Sequence, residues 1–110
     1  MRKISKAALF AFVAGFIVHS TYIYAAEQFE VGQRNKQFTK KHMTITAGDS
    51  VTFTNEDDVY HNVFSLSPVK TFDLGAFPKG EGRNVIFDKP GRVEVECSVH
   101  PDMLMTIEVK

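Results

Sequence analysis

A chain of 110 residues with 13 basic and 13 acidic side chains, 44% hydrophobic residues, one cysteine and no tryptophan has the size of one small domain. Its zero formal charge offers no basic footprint for nucleic acid, and a single cysteine excludes a disulfide within the chain. A domain this small has a limited core, so a bound metal is a natural substitute for the missing crosslinks.

Residues 1–25 read as an address and not as part of a fold. Arg2, Lys3 and Lys6 give a positive start, "AALFAFVAGFIV" from Ala7 to Val18 is apolar, and "IYAA" ends in small residues, the three-part pattern of a secretory leader. The apolar run is shorter than the roughly 20 residues needed to cross a bilayer, which favours cleavage before Ala26 over a retained anchor. Removal leaves 85 of the 110 residues, and because the leader holds three of the 13 basic side chains and none of the acidic ones, 10 basic then face 13 acidic for a net charge of −3. Export implies an oxidising compartment, expected to be the bacterial periplasm, where an uncovered thiol is at risk. Cys97 therefore needs an explanation.

Beyond Ala26 the pattern is alternation, with no sustained helical periodicity. The segment "EQFEVGQRNKQFTKKHMTIT" predicts one or two early strands broken at "GQRNK". "SVTFTN" sets Val51 and Phe53 on one face against Ser50, Thr52 and Thr54 on the other, and "NEDD" from Asn55 to Asp58 reads as a solvated turn. A strand starts at His61 in "DDVYHNVFS". Turn chemistry follows at "FPKGEG" and "DKPG". "RVEVECSV" turns Val93, Val95 and Cys97 inward, and "LMTIEVK" does the same with Met105, Ile107 and Val109. Short alternating strands separated by Gly, Pro and Asp turns predict an all-β antiparallel sandwich or barrel.

The stretch "CSVHPDM" joins the last two strands by a short loop, which brings Cys97, His100 and Met103 together at one pole. His61, at the start of a strand, can reach the same pole, because strand starts and ends meet there in an antiparallel sheet. Two imidazoles, one thiolate and one thioether form the ligand set of a mononuclear blue-copper site. Coordination would also hold Cys97 as the thiolate and shelter it from oxidation. Met103 is placed in the turn, outside the inward register of the last strand, and is preferred as the axial ligand; Met105 is read as core, with a longer loop spacing as the alternative that would select it. Met43 is expected to pack in a strand and His42 to be solvated, with a surface copper-capturing pair as a minor reading. Zinc is disfavoured, since structural zinc sites usually take four Cys or His ligands.

His61-Asn62, followed by Cys97, His100 and Met103 at three-residue intervals, resembles the small cupredoxins of the plastocyanin, pseudoazurin and amicyanin group, and the short loop looks most like the amicyanin type. The similarity runs from about Phe38 to Lys110; "LM" after Met103, where an aromatic or a glycine would be expected, departs from it. The resemblance implies a Greek-key β-sandwich, one type 1 copper, and a hydrogen bond from Asn62 toward Ser98 that ties the ligand loops together. It also implies an apolar rim of Pro101, Leu104, Leu74 and Phe77 near His100. The implied function is one-electron shuttling, not enzymatic catalysis, with a cytochrome c or a periplasmic dehydrogenase or reductase as the kind of donor and acceptor. A monomer free of the membrane after cleavage is expected. Copper storage or delivery through the same ligands is the alternative.

Overall fold

The computed structural model describes residues 24–110, so all but the last two residues of the expected leader lie outside the described residues. The alternating segments become strands β1 (Gln28–Arg34), β2 (Gln37–Phe38), β3 (His42–Ile45), β4 (Ser50–Asn55), β5 (His61–Ser65), β6 (Phe72–Phe77), β7 (Gly82–Ile86), β8 (Gly91–Glu96) and β9 (Leu104–Val109). Among the described residues there is no helix.

The strands form two sheets, ordered β2-β1-β4-β7 and β3-β9-β8-β5-β6. Their inward faces meet in a core that includes Val31, Phe53, Val63, Val93, Val95 and Ile107, all 0% exposed. Each such side chain contributes about 1.5–3 kcal/mol by leaving water. Phe38, Phe53, Phe72 and Phe87 make a chain of ring contacts at 6.3, 6.2 and 6.1 Å between centroids.

The expected antiparallel arrangement needs correction at two places. β1 pairs with β4 in parallel, and β3 pairs with β9 in parallel. Alternation reports which face of a strand is buried and carries no information on strand direction. Between β1 and β4 the chain visits the other sheet to make β3, and that excursion lets β4 return in the same direction as β1.

Two local expectations also change. The early segment makes three strands, because Asn35 and Lys36 both adopt left-handed backbone (φ 55° and 58°) and close a two-residue hairpin between β1 and β2. Ser50, expected to face outward, is 6% exposed and its hydroxyl accepts a hydrogen bond from the Asn84 side chain. At the start of β4, buried Asp49 accepts from the Tyr24 hydroxyl (2.7 Å) and from the backbone amides of Glu27 and Thr46 (both 2.9 Å). Cleavage before Ala26 would remove Tyr24 and leave the two amide bonds on Asp49.

Candidate metal centre

β5 and β8 are antiparallel neighbours with Phe64 opposite Glu96, so the first residue of β5 and the residue after β8 lie at the same pole. These are His61, fully buried, and Cys97, 3% exposed. From Cys97 the chain makes two successive tight turns: the His100 amide donates to the Cys97 carbonyl at 3.3 Å, and the Met103 amide donates to the His100 carbonyl at 2.9 Å. The winding folds His100 back over the pole, where it is half-buried.

Three donor atoms converge. Cys97 Sγ lies 3.9 Å from His61 Nδ1 and 3.6 Å from His100 Nδ1, and the two Nδ1 atoms are 3.2 Å apart. An ion held about 2.0–2.1 Å from nitrogen and about 2.3 Å from sulfur in a roughly tetrahedral set separates its donors by about 3.3–3.7 Å. The observed spacings straddle that range, so the donor set fits one metal ion. Among the described residues, this is the one group of three or more His, Cys, Asp or Glu side chains arranged to hold an ion.

Both imidazoles are prepared for ligation through Nδ1. The other nitrogen of His61, Nε2, donates to Asp57 Oδ2 at 2.7 Å, which leaves the Nδ1 lone pair free. For His100, burial is the main influence that lowers its proton affinity, with the electrostatic influence of His61 and Lys36 adding to it and Asp57 opposing. A neutral imidazole is the form that binds metal.

Asp57 is the functional residue that sequence reasoning missed. Within "NEDD" it was expected in a solvated turn, yet its side chain is only 14% exposed. Oδ1 accepts the Asn35 amide at 2.7 Å, and Oδ2 accepts the Lys36 amide at 2.9 Å in addition to His61. Burial pushes its carboxyl up, and the bonds from Lys36, His61 and Asn35 outweigh it, so the group stays ionised below the ordinary carboxylate value. Asn55, 1% exposed, braces the same loop: its side chain donates to the carbonyls of Val59 and Phe77 and accepts the Asp57 amide. The available signal was an acid four residues ahead of a strand-opening histidine.

The sequence model of "copper binding proteins, plastocyanin/azurin family" matches residues 25–110. The chain belongs to that family. A curated relative, the methylamine utilization protein MauL of Methylorubrum extorquens, is 27% identical over 88 residues, covering 77% of this chain and 75% of that protein. A variant of amicyanin in its Cu(I) form superposes with a TM-score of 0.70 at 20% identity, over 76% of this chain and 82% of that one. A purple cupredoxin from Nitrosopumilus maritimus gives 0.66 at 22% identity, over 74% and 98%. The copper-containing nitrite reductase of Thermus scotoductus gives 0.71 at 25% identity, over 89% of this chain and 26% of that larger one.

With the chain placed among the cupredoxins, His61, Cys97 and His100 are the converging donors of a type 1 copper kind of site, and Met103 follows them on the same loop. Asn62 Oδ1 accepts from both the Ser98 amide (3.0 Å) and its hydroxyl (2.8 Å), tying the two ligand loops together as the resemblance implied. Met103 differs from expectation in one respect. It is 0% exposed, and residues 103, 105, 107 and 109 are all buried, so it continues the inward register of β9 instead of standing outside it. What separates the two methionines is backbone context: Met103 is bonded to the His100 turn, whereas Met105 is paired with Val95 inside the ladder. Phe77 is 0% exposed and sits opposite His61 in the β5–β6 pair, so it walls the site and is not part of a rim. Leu74 packs half-buried on the core, whereas Leu104, 52% exposed, and Pro101 face solvent. Val99, Val59 and Tyr60 are exposed apolar side chains near the ligands in sequence that the expected rim did not include. On β3, His42 is exposed while Met43 is 8% exposed in the core, so the pair faces opposite ways and forms no surface copper site.

Proposed function

We propose that this cupredoxin is an exported, monomeric type 1 copper protein that carries single electrons between redox partners in the periplasm. The observation that carries this reading is the convergence of His61 Nδ1, Cys97 Sγ and His100 Nδ1 on one point beneath a two-turn loop. Bound there, copper supplies a one-electron couple between Cu(II) and Cu(I). The chain does the rest. Cys97 would provide a thiolate, the two imidazoles suit either oxidation state, and Met103 would supply a weak thioether, a mixture that lies between the preferences of the two states. His61 is buried, Asn62 pins the Cys97–His100 loop, and the packed β8–β9 ladder holds its ends, so little rearrangement is needed when the charge changes. His100, the half-buried ligand, is the conduit to a partner. With no further His/Cys cluster among the described residues, a single-centre carrier is the simplest use of the domain, and it is proposed as a carrier and not an enzyme.

The copper-loaded protein is expected to show an intense visible thiolate-to-copper band and a reversible one-electron couple. A colourless Cu(II) form with Cys97 open to thiol reagents overturns the assignment. Rapid loss of copper to a chelator combined with slow electron self-exchange would favour delivery over shuttling.

A further inference from the structure

We propose that Asp57 is the positioning residue of the copper centre: it fixes the His61 ring with Nδ1 toward the ion and lowers the reduction potential, while the Asn35 and Lys36 amides lock its carboxylate in place. The inference rests on the one-copper reading above and concerns a residue outside the ligand set.

The geometry is specific. A neutral imidazole can carry its proton on either nitrogen, and a half-turn about Cβ–Cγ swings Nδ1 away from the pole; nothing in the ligand set alone decides either choice. Asp57 decides, because its two oxygens already accept the Asn35 and Lys36 amides and so face their neighbours as acceptors; at 2.7 Å from Nε2 Oδ2 takes the ring proton's hydrogen bond there and leaves the lone pair on Nδ1. Carboxylate partners of metal-bound histidines both orient the ring and increase its basicity. The same carboxylate is a fixed negative charge one ring-width from the ion, and its attraction is greater for Cu(II) than for Cu(I). Both effects favour the oxidised state.

Asp57 is itself held from the other side. Its two oxygens receive the adjacent amides at the tip of the β1–β2 hairpin, a pair of donors that point the same way because both tip residues are left-handed. Strand hairpin, carboxylate and ligand thus form one connected chain of hydrogen bonds. Glu56, next to Asp57, adds a second tie to the same hairpin through its ion pair with Arg34. The hairpin is therefore part of the metal site although it contributes no ligand.

The test combines the variant with a measurement on the unaltered protein. In copper-loaded Asp57→Asn, a Cu(II) affinity that falls about tenfold more than the Cu(I) affinity, within the usual 10–100-fold effect of such partners, raises the potential by about 59 mV. A merely structural role would lower stability and leave the potential where it was; that result in a folded variant overturns the proposal. In metal-free wild type, nitrogen-detected NMR of the His61 ring is expected to find a slowly exchanging proton on Nε2. A proton on Nδ1 overturns the proposal even if Asp57→Asn does not fold. The ring measurement needs no copper, so a wild type lacking a one-electron couple would sink the carrier reading without deciding this one.

Discussion

Met103 and Met105 lie two residues apart, both buried on one face, and differ in what their backbones do. Replacing Met105 with Leu exchanges side chains of similar volume in a packed ladder, so it should cost less than about 1.5 kcal/mol and leave the visible spectrum unchanged. Met103→Leu should cost no more in stability yet change the spectrum and raise the potential, because a weak sulfur ligand to Cu(II) is lost; optical and paramagnetic-resonance spectra of the two variants decide which methionine is axial. Asp49 gives a prediction on pH. In the uncleaved chain, which keeps Tyr24, burial pushes its carboxyl up, and bonds from the Glu27 amide, the Thr46 amide and the Tyr24 hydroxyl outweigh this and hold it below the ordinary value. The unfolded chain then binds the proton more tightly, so the stabilisation is complete above the unfolded carboxylate value of about 3.9 and is lost as pH falls through the lower folded value. Urea midpoints measured from pH 7 to pH 3 should fall on the acid side, and Asp49→Asn should be less stable at pH 7 with a flatter acid limb. At this scale the ligand types were legible in the sequence, since lone cysteines, histidines and methionines carry their chemistry with them. Asp57 was not legible, because an acidic residue in a turn looks the same whether it faces water or two backbone amides.

Among the elements, the strands that alternate cleanly were visible: β4, β8 and β9 follow their apolar parity closely, and Cys97, Val95 and Ile107 face inward as read. The β1–β2 hairpin was hidden because "NK" is not the Asn-Gly or Asp-Gly pair that usually marks a two-residue turn. Lys36 adopts φ 58° against the preference of a side-chain-bearing residue, a cost of about 1–2 kcal/mol, which the amide bonds to Asp57 help to sustain. Lys36→Gly removes that cost and adds back the larger entropy of glycine, so a net gain of about 0.5–1 kcal/mol is expected, read as a higher denaturant midpoint with the same slope. The bonds to Asp57 come from the backbone and should survive. Gly32 is constrained from the opposite direction: a methyl group there would run into Glu56 Oε2 and meet the Thr39 methyl at 3.1 Å. Gly32→Ala is expected to displace Glu56 from Arg34, and since exposed ion pairs contribute only about 0–1 kcal/mol, the measurable loss should be small.

For the whole molecule, copper is expected to act as the crosslink that the cysteine count denies. At free metal about 1,000 times Kd, binding to the folded state alone adds about 4 kcal/mol, which for a domain of this size raises Tm by roughly 15 °C or more. Calorimetry with and without a chelator checks this, and an unchanged Tm on copper removal would contradict it. By itself, the sequence determined the all-β class, the inward face of the main strands and the donor atoms available, because side-chain period and ligand chemistry are local properties. Only the tertiary structure decided that β1 lies parallel to β4, that Phe77 walls the site, and that Asp57 reaches across to His61 while gripping the hairpin. Those facts depend on which segments pack against each other, β1 on β4, β6 on β5 and the β1–β2 hairpin on the loop before β5, and a period of two residues along one strand contains no term for its neighbour's direction or for the partner a polar group finds on burial.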